Sequence, residues 1–224
     1  MTSLVVQKLG LLPYREAWEV QKELQQRLIK GEGEDTLLLC EHPPVITLGR
    51  SAKPENVLAS EAELAKQNVE VIPIERGGDV TFHGPGQLVA YPIIDLTKKR
   101  QDVGWYMRAI EEVIIRTLAR FDIEGVRIPG KTGVWISRTP EQAPTVKERK
   151  IASLGVRISR WKTLHGFSIN VLNSKQGFSL INPCGFADIE VTSIEEESSR
   201  HSVSDVGVAA TEEFCKVFDY VAKV

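Results

Sequence analysis

RGGDVTFHGPGQ, residues 76–87, holds Gly77, Gly78, Gly84 and Gly86 together with Pro85. Glycine at this density lets a backbone adopt φ > 0 and lets another molecule approach the main chain closely. Apolar runs at 69–74 and 88–96 flank the stretch, and each reads as a strand. The segment between them reads as a long glycine loop. Arg76 brings a fixed cation, and His83 brings a group that ordinarily titrates near neutrality. The plainest alternative is a glycine-rich hairpin carrying two ordinary polar residues. A nucleotide loop does not fit, because neither G-x-x-x-x-G-K-[ST] nor a helix-opening G-x-G-x-x-G is present.

Upstream, 4–9 reads as a strand. A helix follows from Pro13, with Tyr14, Ala17, Trp18, Leu24 and Leu28 near one face and Gly31 as its stop. TLLLC at 36–40 is a short strand. Pro43 and Pro44 force an extended turn before a strand at 45–48. Ser60 and Glu63 have the spacing of a capping box for a short helix through 67. Downstream, Asp102 caps a helix to about 121, whose apolar stripe is Tyr106, Ile110, Val113, Ile114 and Leu118. Residues 127–137 form a hairpin around PGKTG. The polar run 138–149 is an exposed loop, 151–158 and 163–171 are strands, and 174–185 is irregular. Val206, Ala210, Phe214, Val217, Phe218 and Val221 follow helical spacing, so the chain is expected to end in an amphipathic helix. Strands outnumber helices and do not alternate strictly with them. That favours an α+β layer fold over a doubly wound one, with 1–224 as a single domain.

The chain has 224 residues, enough to bury a full core. Its hydrophobic content of 42% and charged content of 26% are ordinary for a globular protein. A net charge of −2 gives no field for nucleic acid, although Lys98, Lys99, Arg100 and Arg157, Arg160, Lys162 form local basic clusters. Three cysteines (Cys40, Cys184, Cys215) without close pairing argue against a disulfide framework and against a cysteine zinc site. They favour a reducing, cytoplasmic setting. The first twenty residues read as a strand and a helix rather than a signal peptide, and without a run of about 18 apolar residues no membrane span is expected.

Cys40 and Cys215 read as small packing residues. Cys184 sits in the turn sequence Asn182-Pro183-Cys184-Gly185, where a side chain can face a cleft. A lone turn cysteine is still more often inert than catalytic. A nucleophilic cysteine needs a cation to favour its thiolate, and Lys150, opening KIASLGVRI, is the best candidate. The plain reading of Lys150 is one more lysine beside a charged loop. His165 either orients a substrate or satisfies a backbone carbonyl.

Five ordered segments carry a resemblance: EHPPVITLGRSA (41–52), RGGDVTFHGPGQLVAYPIIDL (76–96), PGKTGVWI (129–136), KIASLGVRISRWKTLHGFSINV (150–171) and INPCG (181–185). In them the chain closely resembles the lipoyl(octanoyl) transferases. The resemblance implies an α+β fold similar to lipoate and biotin protein ligase catalytic domains, with a mixed β-sheet and flanking helices. It implies transfer of an octanoyl or lipoyl group from acyl carrier protein to a lysine of lipoyl domains. The acceptors would be 2-oxoacid dehydrogenases and the glycine cleavage H protein. Cys184 matches the family's acyl-thioester nucleophile, and Lys150 matches the lysine that lowers its pKa. Substrate-binding segments match Arg76, Gly77, Gly78, Asp79, Val80, Thr81, Phe82 and His83, then Ser153, Leu154 and Gly155, then Gly166, Phe167 and Ser168. His165 is a possible supporting residue. No ATP, metal, nucleic acid or membrane is expected, and the chain is expected to work as a monomer.

Transfer between thioesters has little net cost, so a ping-pong route through one cysteine needs no nucleotide. Loss of a true acid–base lysine would cost roughly 10²–10⁴-fold in rate. Backbone amides near Gly78 or Leu154 are candidate oxyanion donors. Bare main chain at Gly77, Gly78, Gly155 and Gly166 would let the acyl chain lie close. The competing reading is an ATP-dependent lipoate or biotin-type ligase on the same fold. Two others are a binding module that has lost its chemistry and a thioesterase, the latter revealed by octanoate release without acceptor.

Overall fold

The computed structural model describes residues 2–136, 148–172, 175–183 and 189–223, and their side chains except at 175 and 176. In chain order the elements are β1 (Thr2–Leu11), α1 (Tyr14–Lys30), β2 (Thr36–Glu41), β3 (Val45–Leu48), α2 (Glu61–Lys66), β4 (Glu70–Pro73), β5 (Val80–His83), β6 (Gln87–Ile93), α3 (Val103–Ala119), β7 (Gly125–Ile128), β8 (Lys131–Ile136), β9 (Arg149–Ser159), β10 (Lys162–Asn170), α4 (Lys175–Phe178), β11 (Glu190–Val191), α5 (Ile194–Glu197), α6 (Val203–Phe218) and β12 (Tyr220–Lys223).

A large mixed sheet runs β12-β1-β2-β6-β10-β9-β8-β7. β1 is parallel to β12 and β2, and the remaining neighbours are antiparallel. Strand alternation gives the sheet two apolar faces. Leu88 and Ala90 of β6 and Phe167 and Ile169 of β10 meet α3 and α6 through Tyr106, Ile110, Ile114, Phe214 and Phe218. Val89, Tyr91, Ile93 and Leu164 meet α1 through Tyr14, Ala17 and Leu28. Each fully buried aliphatic or aromatic side chain contributes roughly 1.5–3 kcal/mol, so these two layers supply most of the stabilisation. A second sheet, β4-β3-β5, covers its own cluster of Ile46, Val80, Phe82 and Phe178.

The α+β layer expected from the sequence is what forms. Local signals hold at the helix ends. Gly31 stops α1 at φ 78°, Ser60 and Glu63 close a capping box on α2, and the Asp102 side chain accepts from Trp105 N. All five stripe residues of α3 are fully buried.

Four expectations need correction. Residues 76–87 are not one loop, because β-branched Val80 and Thr81 lead a strand that pairs antiparallel with β3. Nor are the strands on either side a hairpin: β4 belongs to the small sheet and β6 to the large one. Within 174–185, Lys175–Phe178 makes one helical turn. The last helix ends at Phe218, where Asp219 turns left-handed at φ 54°. Val221 therefore lies in the edge strand β12 rather than on the helical stripe. The basic clusters are partly spent within the chain. Lys98 lies 3.6 Å from Asp35, Arg157 lies 3.2 Å from Glu75, Lys162 lies 3.0 Å from Asp95, and the Lys99 ammonium sits 3.9 Å from the Tyr220 ring centre. Among the described residues no helix is long and apolar enough to cross a membrane.

Candidate active site

Small residues face each other across β9 and β10. Gly166 pairs with Gly155 and Ser168 with Ser153, so this patch of the sheet presents main chain rather than side chains. A cavity of about 620 Å³ lies over it. β8 pairs with β9 only as far as Ala152, and the open edge beyond brings Leu154 and Val156 into the lining as well.

The first half of the glycine segment forms the rim. Arg76 is buried, with Nη2 donating to Thr47 O at 2.8 Å and Nη1 to Gly77 O at 3.1 Å. Gly77 N donates to Val156 O at 2.9 Å, which ties the rim to β9. Gly78 sits at φ +91°, a conformation that requires glycine. Its amide donates no hydrogen bond among the described residues. Asp79 accepts from Asn56 Nδ2 at 2.7 Å and from Val80 N at 2.8 Å.

Every proposed substrate-binding residue lines the cavity except Phe82, and Lys150 and His165 join them. Phe82 stands on the opposite face of β5 from Thr81 and His83, edge-on to Phe178 at 5.8 Å. Gly155 and Gly166 have a packing reason to be glycine beside the expected one. A β-carbon at Gly155 would lie 2.9 Å from Gly77 O, and one at Gly166 would lie 2.7 Å from Pro92 Cδ. At both positions neighbouring protein needs the space.

Lys150 lies on β9 opposite Trp135 and beside Val191 of β11. It is 3% exposed, and its Nζ sits 5.1 Å from the Trp135 ring centre. Gly133, part of the PGKTG turn signal, makes way for it: at φ +129° a β-carbon there would fall 2.6 Å from Lys150 Cε.

Cys184 lies outside the described residues, as do the expected contact with Lys150 and most of the 138–149 loop. The chain on both sides of Cys184 is anchored. Asn182 N donates to Asn56 O at 2.8 Å, which links it through Asn56 to Asp79 on the rim. On the far side β11 pairs with Arg149 and Lys150, and Thr192 N donates to Lys150 O at 3.0 Å.

One wall is a cluster of neutral rings. Tyr14 stacks on His83 at 6.0 Å, and His42 lies 5.9 Å from His83. Burial lowers His83 to about 3 and His42 to about 4. His83 is therefore not a group titrating near neutrality: its site lacks the solvation an imidazolium needs, and His42 is close by. His42 donates from Nδ1 to Leu12 O and accepts at Nε2 from Tyr91 OH, both at 2.7 Å. Cys40 packs beneath them, its thiol pushed up to about 12 by burial. His165, at φ +61°, meets Tyr14 OH at 3.4 Å rather than a backbone carbonyl.

Tyr14, Tyr91, Lys53, Lys131, Trp135 and Met107 also line the cavity, although the sequence marks none of them as a site residue. Tyr91 was legible in principle, two residues along β6 from Val89 on the same face. The lysines carry no local signal. Among the described residues no three of His, Cys, Asp or Glu converge as a metal site requires.

The family model described as the lipoyl protein ligase A/B catalytic domain matches residues 13–215. The chain belongs to that family. It is 44% identical over 220 residues to an octanoyltransferase of Solibacter usitatus, covering 98% of this chain and 95% of that protein. Relatives from Chloroflexus aggregans and Cytophaga hutchinsonii, 43% and 47% identical, carry the same name. The fold is similar to the bipartite lipoate protein ligase of Thermoplasma acidophilum, with a TM-score of 0.75 at 14% identity, covering all of this chain and 86% of that one. It is also similar to a biotin protein ligase from Aquifex aeolicus, with a TM-score of 0.51 at 11% identity over 98% and 70% of the two chains.

Proposed function

We propose that the chain is an octanoyltransferase of protein lipoylation that works in two half-reactions through Cys184 as one catalytic domain. Octanoyl transfer rests on relatives of that name across nearly the full length. In the first half-reaction the Cys184 thiolate attacks the thioester carbonyl of octanoyl-acyl carrier protein and releases the carrier thiol. In the second, a lipoyl-domain lysine attacks the acyl-enzyme and forms the amide. Neither step consumes ATP or needs a metal, because one thioester replaces another and an amide is the more stable product.

The observation that carries this reading is Lys150. A lysine this buried is uncommon unless its ammonium is paired, and here it also lies over the Trp135 ring. It lines the same cavity as the small-residue patch of β9 and β10. Its own strand is paired with the segment that follows Cys184 by a few residues. An ammonium there stabilises a neighbouring thiolate, then returns a proton to the departing sulfur. The Gly78 amide, unpaired among the described residues and on the rim, is the candidate oxyanion donor. The apolar part of the lining, Val89, Leu154 and Val156, suits an alkyl chain.

Intact-protein mass spectrometry after mixing with octanoyl-acyl carrier protein, without ATP, tests the route. The expected result is a single octanoyl adduct, sensitive to hydroxylamine, discharged by a lipoyl domain and absent in Cys184→Ser. Acceptor acylation that requires free octanoate and ATP, with no adduct on the enzyme, would replace this reading with an adenylate-forming ligase.

A further inference from the structure

Three hydrogen bonds run in series from the cavity wall to a backbone carbonyl. His83 Nδ1 lies 2.6 Å from Gln87 Oε1. Gln87 Nε2 lies 2.9 Å from Asn170 Oδ1 and 3.3 Å from Phe82 O. Asn170 Nδ2 lies 3.0 Å from Thr192 O. All three side chains are buried.

The far end forces the direction of each bond. A carbonyl only accepts, so Thr192 O takes its hydrogen from Asn170 Nδ2, and Asn170 Oδ1 turns toward Gln87. Gln87 must then present its NH₂ to that oxygen, and Phe82 O independently demands the same orientation. Gln87 Oε1 is left facing His83, so the hydrogen between them sits on His83 Nδ1. A neutral imidazole carries one N–H, which leaves the lone pair on Nε2. Among the described residues Nε2 has no hydrogen-bond partner, and it is not one of the sealed polar atoms. His83 lines the cavity, so this lone pair is open to it.

We propose that Gln87 and Asn170 are positioning residues that hold His83 as the Nδ1–H tautomer, so that Nε2 accepts a hydrogen bond from the amine of the incoming lysine. The inference rests on the acyl-transfer reading above. The lining is rich in groups that only donate, namely Lys53, Arg76, Lys131 and Lys150. The Asp79 carboxylate is already engaged by Asn56 and the Val80 amide. A free carboxylate beside the amine would favour its ammonium form, which cannot attack. A neutral acceptor orients one N–H and leaves the nitrogen lone pair free to attack. The C–N bond then forms, the C–S bond breaks, and sulfur keeps the electron pair. The proton shed by nitrogen reaches sulfur through Lys150, while His83 neither gains nor loses one.

Long-range ¹H–¹⁵N correlation spectra of the full chain read the tautomer directly. The wild type is expected to show His83 protonated at Nδ1 and bare at Nε2; the reverse pattern overturns the inference. Gln87→Met is expected to shift the ring toward the Nε2–H form and to slow discharge of preformed octanoyl-enzyme to a lipoyl domain by roughly 10–100-fold. Formation of the acyl-enzyme should fall at least tenfold less than its discharge. Equal slowing of both half-reactions would reduce Gln87 to a structural role and overturn the proposal, and if Gln87→Met does not fold, the wild-type spectrum decides. A wild type that forms no octanoyl adduct overturns the acyl-transfer reading and takes the role of Nε2 with it, whatever the tautomer. The reversed tautomer with the adduct intact overturns this inference alone.

Discussion

Gly166→Ala separates two reasons for a glycine at the cavity floor. A methyl at this position would lie 2.7 Å from Pro92 Cδ, 3.1 Å from the Ala90 carbonyl carbon, and closer still to the Ala90 oxygen. The obstacle is backbone of β6, a central strand that pairs with β10 from Ala90 to Gln87, so no side-chain rotation relieves it. β6 also pairs with β2 on its other edge and is held by both partners. Overpacking of this kind costs about 1–3 kcal/mol, and an unyielding neighbour puts Gly166→Ala at the upper end. For a chain of this length about 3 kcal/mol lowers Tm by roughly 6–12 °C. Gly77→Ala is the control, because its nearest neighbour, Val156 O, is 3.5 Å away, an ordinary contact, and its φ is not positive. Thermal unfolding followed by circular dichroism should show a large loss for Gly166→Ala and a loss of under about 0.5 kcal/mol for Gly77→Ala. Equal Tm values for Gly166→Ala and the wild type would refute the steric argument and return the glycine to a ligand-contact role.

Further outcomes follow from the same geometry. Lys150→Met keeps a long apolar stem and removes the charge; acyl-enzyme formation in stopped or quenched flow should fall roughly 10²–10⁴-fold, and a fall under tenfold would remove Lys150 from the chemistry. Gly133→Ala, which drives a methyl against Lys150 Cε at 2.6 Å, should slow the same step without abolishing folding, as read by activity and circular dichroism together. Acid should destabilise the fold through His83 and His42. Their pKa values are lowered in the folded state to about 3 and about 4, so their contribution is complete above the unfolded value of about 6.5 and is lost as pH falls toward the folded values. By pH 4 this amounts to at most about 3 kcal/mol for each histidine, and urea titrations between pH 7 and 4 should show stability falling, less steeply in His42→Gln. Asp102→Ala removes the side chain that accepts from Trp105 N at 2.9 Å and should cost about 1 kcal/mol in a urea midpoint shift.

The sequence by itself determined the local structure. The Gly31 stop, the Ser60–Glu63 box, the Asp102 cap and the α3 stripe all lie within a few residues of the groups they act on, so composition and spacing suffice to read them. It also supplied candidate site residues, through short ordered segments that carry the family resemblance, and all of the proposed substrate-binding set but Phe82 line one cavity. Where a prediction failed, a distant partner had decided the outcome. VTFH at 80–83 became a strand because β3 offered it an edge. The tail after Phe218 became β12 because β1 had a free side. His83 lost its ordinary titration because Tyr14 and His42 arrive from α1 and the segment after β2 to exclude water. Gly133 reads as part of a turn and Gly166 as a substrate contact, and each also leaves room for a side chain or carbonyl on another strand, which spacing along the chain does not show. Hydrogen-bond direction was equally invisible in the sequence. Gln87 and Asn170 are far apart along the chain and gain meaning only when β6 and β10 lie side by side, because buried polar groups must find their partners within the chain, and the carbonyls of Phe82 and Thr192 then fix where the hydrogen on His83 must sit.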